Sequence, residues 1–158
     1  LKDKQPNNLQ HLNYGTSDAL TVTLSFWVKS SVSADYAINV ASEGYTRNIT
    51  STYTVNSANT WEYKTITIPG DTGGTWNYTN SFGIKIWISL GVGSTYAEPS
   101  TLSAWQTGLV LGSTNDVKLA ETSGATWQIT GFQMELGSVA TPFEHRSYGE
   151  ELALCQRY

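Results

Sequence analysis

The chain has 158 residues, of which 14% are charged and 12% aromatic, and its formal net charge is −4 at pH 7. This length predicts one domain with its own core, and the aromatic content argues against disorder. The acidic balance and the lack of a Lys/Arg cluster exclude a grip on nucleic-acid phosphates. No apolar run approaches the ~20 residues of a membrane span, and a single cysteine excludes an internal disulfide.

The first half of the chain contains one clear predicted strand and two weaker ones. Residues 1–17 are polar and are interpreted as the end of an earlier strand. Residues 19–29 alternate strictly between apolar and polar side chains, which is the period of a strand with one buried face. Residues 36–41 and 48–55 are rich in Thr, Val and Tyr and predict two further strands. The residues expected in the core here are Val22, Leu24, Phe26 and Val28.

Two more strands are predicted in the middle of the chain. Residues 61–68 alternate, but both of their faces carry bulky groups, so the pattern leaves the inner face open. Residues 83–90 alternate cleanly, and we expect Ile84, Ile86 and Ile88 in the core. The segment 91–124 is rich in Gly, Ser and Thr, and a connection of this length is typical of functional or partly structured segments.

The closing strand, residues 127–136, changes its phase near Gly131. Its apolar residues stand at positions 127, 129, 132, 134 and 136, and a β-bulge at Gly131 would account for the shift. The residues expected in the core from this strand are Ile129, Phe132 and Met134. Residues 140–143 form an extended arm, which we expect to pack back across the fold with Phe143 as its anchor.

A helix start follows the arm, because Ser147 and Glu150 match a capping box. We therefore divide the chain into a domain at 1–146 and a helical linker start at 147–158, directed toward a following module. Many short strands separated by turn signals predict an all-β fold, a two-sheet antiparallel β-sandwich. The long irregular connections favour a jelly roll over an immunoglobulin-type domain.

Five stretches of the chain resemble a known type of domain. They are residues 24–30, 58–72, 89–91, 93–96 and 129–144, and the last of them reads ITGFQMELGSVATPFE. From about residue 16 onward, the chain resembles a jelly-roll domain of tailed-phage and environmental viral proteins, found in tail fibres and other virion appendages. The same strand framework is similar to family 4/9-type carbohydrate-binding modules attached to glycosidases. The closing stretch, continued to the C-terminus, is the most specific part of the resemblance.

The resemblance implies a function without catalysis. We expect a virion protein that binds host cell-surface glycans and is not an enzyme, with no catalytic residues to assign. Fibres of this kind imply a homotrimeric full-length protein, in which weak sugar contacts are multiplied by avidity. Two alternatives stay open: a purely structural fibre or capsid-decoration module without a ligand, and a carbohydrate-binding module of a secreted glycosidase.

The aromatic residues supply the candidate ligand-binding positions, because sugars have apolar C–H faces that pack on aromatic rings. Trp27 and Trp87 fall on the polar faces of their strands, where both could share one exposed sheet face. The alternative is that they pack under loops or against a neighbouring subunit. Four more candidates lie in predicted loops, where each either contacts a ligand or pins its loop to the body. They are Trp76, Tyr78, Tyr96 and Trp105.

The acidic side chains form neither a catalytic nor a metal-binding motif. Nothing in the sequence pairs two of them across a cleft, as a glycosidase requires. No spaced Asp run indicates a calcium loop, so we expect no cofactor, although a structural calcium ion held by loop oxygens remains compatible with the fold. The acids on or beside predicted strands and loops are Glu62, Asp71, Glu98, Asp116 and Glu135.

Overall fold

The computed structural model describes residues 2–3, 10–77, 83–98 and 102–155. Within these residues the chain forms nine strands, three short 3-10 turns and one C-terminal helix. The strands are β1 (Lys2–Asp3), β2 (Val22–Ser30), β3 (Ala34–Ser42), β4 (Asn48–Val55), β5 (Glu62–Ile68), β6 (Ile84–Ser89), β7 (Ala97–Glu98), β8 (Gly112–Ser113) and β9 (Trp127–Leu136). The 3-10 turns are Glu43–Tyr45, Ser94–Tyr96 and Leu119–Glu121, and the helix is Tyr148–Cys155.

Two antiparallel sheets pack against each other, with the strand orders β1-β6-β3-β4 and β5-β2-β9. Consecutive long strands cross from one sheet to the other, except β3 and β4, which pair as a hairpin. The predicted all-β fold, a two-sheet antiparallel sandwich, is confirmed. The two-residue strands β7 and β8 form a separate parallel pair within the long connection between β6 and β9.

Aromatic rings from both sheets meet at the centre of the core. Phe26 of β2 contacts Tyr53 of β4 edge to face at a centroid distance of 5.2 Å, and it stacks on Phe132 of β9 at 5.8 Å. Tyr53 in turn stacks on Tyr36 of β3 at 5.6 Å. Phe26 and Tyr36 are fully buried. The four rings therefore join the two sheets through a continuous set of contacts.

The predicted core residues all contact the core, but to different depths. Five of them are fully buried: Val22, Leu24, Phe26, Val28 and Ile84. The other five are only half-buried and pack against the buried cluster: Ile86, Ile88, Ile129, Phe132 and Met134. The difference arises because β9 is paired on one side only among the described residues, and β6 is flanked outward only by the short β1.

The predicted bulge at Gly131 is confirmed by the register of β2 and β9. Ser25 pairs with Gln133 and Trp27 pairs with Thr130, so three steps along β9 match two steps along β2. Gly131 has a φ of +59°, the left-handed region that glycine enters without a Cβ penalty. The extra residue restores the apolar phase, so that side chains on both sides of the bulge face the core.

Residues 106–110 of the long connection lie across the outer face of β3 and β4 and are held there by buried polar side chains. The Asn39 amide donates to the Val110 carbonyl at 2.5 Å, and the Thr50 hydroxyl donates to the same oxygen at 3.0 Å. Asn48 exchanges backbone hydrogen bonds with Gln106, at 2.9 and 2.8 Å, and its side-chain amide donates to the Gly108 carbonyl. The long connection is thus partly structured, as its length indicated.

The extended arm packs on the outside of β9 and not as a buried anchor. Thr141 N–H donates to Glu135 at 3.0 Å, and Glu144 N–H donates to the Gln133 side chain at 2.9 Å. Phe143, the predicted anchor of the arm, lies beside Gly131 and remains 42% exposed, so its contact with the domain is on the surface. The arm is held by side chains on the outer face of β9. This face is open to solvent and therefore cannot bury an aromatic ring, unlike the space between the two sheets.

The C-terminal helix begins with the predicted capping box. Ser147 N–H donates to the Glu150 carboxylate at 3.0 Å, and Glu150 N–H donates back to the Ser147 hydroxyl at 3.3 Å. These two bonds satisfy backbone donors that the first helical turn leaves without a partner. In the part of the chain that the structure describes, no helix has the length and apolar character needed to cross a membrane.

Candidate functional site

The outer face of the β5-β2-β9 sheet carries an exposed aromatic surface. Trp27 of β2 lies directly across from Tyr63 of β5. Their ring centroids are 5.4 Å apart, their planes are tilted by 48°, and each side chain is 44% exposed. Trp61 directly precedes β5, two residues before Tyr63, and it is 42% exposed. We call Trp27, Tyr63 and Trp61 the Trp27 platform.

The bulge in β9 leaves an open position beside this platform. A Cβ atom on Gly131 would lie 3.5 Å from Trp27 Cδ1 and 3.8 Å from Phe143 Cδ2, so both rings border the glycine. Phe143 also packs edge to face on His145, with ring centroids 5.0 Å apart. The aromatic surface therefore continues from β5 across β2 and β9 to the arm.

Hydroxyl and amide groups surround the rings. Thr130, which pairs with Trp27, and Gln128, which pairs with Lys29, are exposed on β9. Thr65 is exposed on β5, two residues after Tyr63. Lys29 is half-buried and shares the outer face with Trp27. These groups offer both donors and acceptors, which a ligand rich in hydroxyls requires.

Glu62 holds the turn that leads into β5 and so positions the adjacent rings. Its carboxylate accepts hydrogen bonds from the Lys64 ammonium at 2.6 Å and from the backbone N–H groups of Ser57 and Asn56 at 2.7 and 2.9 Å. Hydrogen bonds from Lys64, Ser57 and Asn56 lower the pKa of Glu62 to about 2. The side chain is therefore a fixed carboxylate whose contacts order the turn, and a proton-donating role does not suit it.

Trp76 and Trp105 pin loops to the body of the domain. Together with Tyr14 they form a cluster of three edge-to-face rings, with centroid distances of 4.8, 5.4 and 5.6 Å. The Trp76 indole donates to Asp71 at 2.9 Å, and the Trp105 indole donates to the Pro69 carbonyl at 2.6 Å. Trp76 is only 7% exposed and offers little surface to a ligand. Burial, with the nearby Asp71 charge, raises the pKa of the Tyr14 hydroxyl.

The remaining sequence candidates lie apart from the Trp27 platform. Trp87 is 42% exposed on β6, and the expectation that it shares a face with Trp27 is wrong because the two strands belong to different sheets. Tyr96 is 45% exposed in a 3-10 turn between β6 and β7. Tyr78 lies outside the described residues. The structure thus brings neither Trp87 nor Tyr96 to the platform.

Three residues of the aromatic surface were missed from the sequence: Trp61, Tyr63 and Phe143. The sequence left the inner face of β5 open, because both of its faces are bulky, and the structure resolves it by burying Ile66 and Ile68 on one face. Strand alternation then places Tyr63 on the opposite, outer face, and Trp61 directly precedes the strand. Phe143 carried no comparable signal, since the arm is not a strand.

Replacing Gly131 with alanine is expected to destabilise the fold by about 1–2 kcal/mol, because an L residue is strained at positive φ. The added Cβ would make only ordinary contacts with Trp27 and Phe143, so backbone strain accounts for the loss. Thermal denaturation measures it. Gly93→Ala is the matched control, since Gly93 has a φ of −72° and open space around it, and its melting temperature should stay unchanged. Equal melting temperatures for both variants would contradict the strain.

The exposed rings of the Trp27 platform suit binding by surface contact. Among the described residues, no group of three or more His, Cys, Asp or Glu side chains is placed to hold a metal ion. Asp71 is engaged by Arg47, and Glu135 by Thr141. No family model, curated protein or solved structure matches this chain.

Proposed function

We propose that this chain is a non-catalytic module that binds glycans through the Trp27 platform. The observation that carries the proposal is the exposed Trp27–Tyr63 pair on one sheet face, with the exposed Trp61 just before β5. A pyranose ring packed on such rings removes apolar C–H surface from water and directs its C–H groups at the negative π face. The neighbouring hydroxyl and amide groups would then fix the orientation of the sugar.

The exposure of these rings costs free energy unless something covers them. Each of the three side chains is more than 40% exposed. A sheet face that contacts only water usually carries polar residues such as Thr, Lys or Glu at these positions. Contiguous apolar surface of this kind marks interaction sites in soluble domains. The platform lies open on a sheet, which suits the side of an extended polysaccharide chain more than a single sugar enclosed in a pocket.

We place this activity in a virion appendage that contacts the host cell surface. The support is the resemblance of the closing strand and arm to domains of phage tail fibres. Apolar side chains are also exposed near the C-terminal end: Leu136 is 57%, Val139 74% and Tyr148 82% exposed. Burial of these residues between copies would give the expected homotrimer, in which one contact per copy adds up to strong adhesion.

The same exposed apolar residues favour a second candidate function. A purely structural module of a fibre needs an interface between copies and no ligand. In that case Leu136, Val139 and Tyr148 would be the residues that matter, and the Trp27 platform would be buried against a neighbour. Binding measurements on the platform separate the two candidates.

Replacing Trp27 with alanine is expected to weaken glycan binding about tenfold. Losing roughly 60 Å² of apolar contact, at about 25 cal/mol per Å², costs about 1.5 kcal/mol of binding free energy. The wild-type chain is first screened on a glycan array, and the variant is then titrated with the best ligand by calorimetry. Trp27→Phe keeps an aromatic face and should retain most of the affinity.

Leu20→Ala is the control for this experiment. Leu20 is 42% exposed just before β2, seven residues before Trp27 along an extended strand, so its replacement should leave the dissociation constant unchanged. The proposal is abandoned if the wild-type chain binds no glycan on the array, or if Trp27→Ala binds as tightly as Leu20→Ala.

A further inference from the structure

A second exposed aromatic pair lies on the opposite side of the sandwich. Trp87 of β6 faces outward from the four-stranded sheet and is 42% exposed. Tyr45, in the turn between β3 and β4, lies beside it with a centroid distance of 6.5 Å and a tilt of 47°. The Trp27–Tyr63 pair has nearly the same tilt, at a centroid distance of 5.4 Å.

A lysine accompanies each of the two aromatic pairs, so the two surfaces carry the same three residue types. Each set contains a strand Trp, a neighbouring Tyr, and a Lys two residues from the Trp on the same strand face. The first set is Trp27, Tyr63 and Lys29, and the second set is Trp87, Tyr45 and Lys85. The sets differ in sequence, because the Lys follows Trp27 but precedes Trp87, and they lie on strands of different sheets. The likeness is therefore one of surface chemistry.

The turn that presents Tyr45 has an unusual backbone. Gly44 and Tyr45 both have positive φ, +71° and +59°, and for tyrosine this region costs about 1–2 kcal/mol. Lys85 Nζ donates to the Tyr45 hydroxyl at 2.6 Å and lies 4.5 Å from the ring centroid. The strained residue is thus held in one position next to Trp87. Strain of this kind is common at ligand-binding sites.

The long connection covers part of this outer face and leaves Trp87 accessible. Asn39, which pairs directly with Trp87, is fully buried because the segment at Val110 packs on it. Trp87 itself keeps more than two-fifths of its surface in contact with solvent. If the segment had only a structural role, we would expect it to cover the apolar Trp87 indole as well.

We propose that Trp87, Tyr45 and Lys85 form a second sugar-binding site and that the module holds two glycan chains at once. This inference rests on the proposed function of the Trp27 platform. A pyranose would stack on Trp87, and the Lys85 ammonium would donate to one of its hydroxyl or carboxylate oxygens. The two sheets are about 10 Å apart and their outer faces point away from each other, so one short glycan cannot reach both sites. The module therefore cross-links polysaccharide chains.

The test counts binding sites per chain by calorimetry. The probes are hexasaccharides of the classes that the array identifies, such as cellohexaose, xylohexaose or a hexamer of mannuronate. The wild-type chain should bind two hexasaccharides. Trp27→Ala and Trp87→Ala should each keep one of these sites unchanged and lose about tenfold in affinity at the other, and the double variant should lose about tenfold at both. Leu20→Ala, an equally exposed position outside both aromatic sets, should keep both sites.

The outcomes separate this inference from the proposed function. A wild-type chain with a single site that Trp27→Ala weakens and Trp87→Ala leaves unchanged would overturn the second site and leave the first intact. A single site weakened by Trp87→Ala alone would overturn the role of the Trp27 platform and the two-chain inference together. A wild-type chain that binds no hexasaccharide would overturn both. Circular dichroism and melting temperature verify that each variant is folded.

Discussion

Replacing Asp71 with alanine is expected to lower the free energy of unfolding by about 3–5 kcal/mol. Asp71 is 1% exposed and accepts two hydrogen bonds from Arg47, at 2.5 and 2.8 Å. It also accepts hydrogen bonds from the Trp76 indole N–H at 2.9 Å and from the Gly73 backbone N–H at 3.2 Å. Its removal leaves the Arg47 guanidinium and the Trp76 N–H without this acceptor, and chemical denaturation measures the cost.

The contribution of Asp71 should depend on pH. Burial alone would raise the pKa of Asp71, but hydrogen bonds from Arg47, Trp76 and Gly73 outweigh it and lower the pKa. A carboxyl with a lowered folded-state pKa contributes its full stability above the unfolded pKa of about 3.9 and loses it as the pH falls through the folded value. The stability difference between the wild type and Asp71→Asn should therefore narrow below pH ~4.

Glu144→Ala is the matched control for Asp71→Ala. Glu144 also pairs with an arginine, Arg146, at 2.8 Å, but the two side chains are 67% and 46% exposed. An exposed pair contributes little, so the control should change stability by less than about 0.5 kcal/mol. Similar losses for Asp71→Ala and Glu144→Ala would show that burial of the pair is not what matters.

Replacing Phe26 with alanine is expected to cost about 3–5 kcal/mol of stability. Phe26 is fully buried and contacts Tyr53 of the facing sheet and Phe132 of the neighbouring strand. Its removal opens a cavity where the two sheets meet and deletes ring contacts on both sides. The shift in the denaturation midpoint measures the loss, provided that the slope of the transition stays the same.

Phe143→Ala is the corresponding control, because the same side chain is deleted from a half-exposed position. Its loss should be under about 1 kcal/mol, since the ring is 42% exposed and leaves no closed cavity. Phe26→Leu, which keeps most of the volume, should fall between the two. A Phe26→Ala protein as stable as Phe143→Ala would show that the core is not organised around Phe26.

The predictable part of the fold is the part set by local patterning. Strict alternation located β2 and β6 within a few residues, the phase shift located the bulge at Gly131, and the Ser147–Glu150 spacing located the helix start. Each of these depends only on neighbours along the chain. Alternation separates an inner from an outer face but does not assign a strand to a sheet. For this reason Trp27 and Trp87 were expected together and lie on opposite sides.

The remaining features depend on contacts between distant residues. Asp71 pairs with Arg47, 24 positions earlier in the chain, and nothing local marks either residue as a partner. The long connection packs on a sheet face through Asn39 and Thr50, which read as ordinary polar strand residues. In β5 both faces are bulky, and only the buried positions of the isoleucines in the folded chain show that Tyr63 is directed outward.

The long connection is bound to the sheet through hydrogen bonds to its own main chain, which limits how strongly its side chains are constrained. Asn39, Asn48 and Thr50 hold it through the main-chain oxygens of Gln106, Gly108 and Val110, and these atoms are present whichever side chains the connection carries. Exchanging the exposed residue at position 107 would leave every one of these bonds in place. Exposed positions such as 107 therefore tolerate mutation, and new surface specificities could arise there at little risk to folding. Trp105 and Leu119 of the same connection are different, because their own side chains pack against the body of the domain.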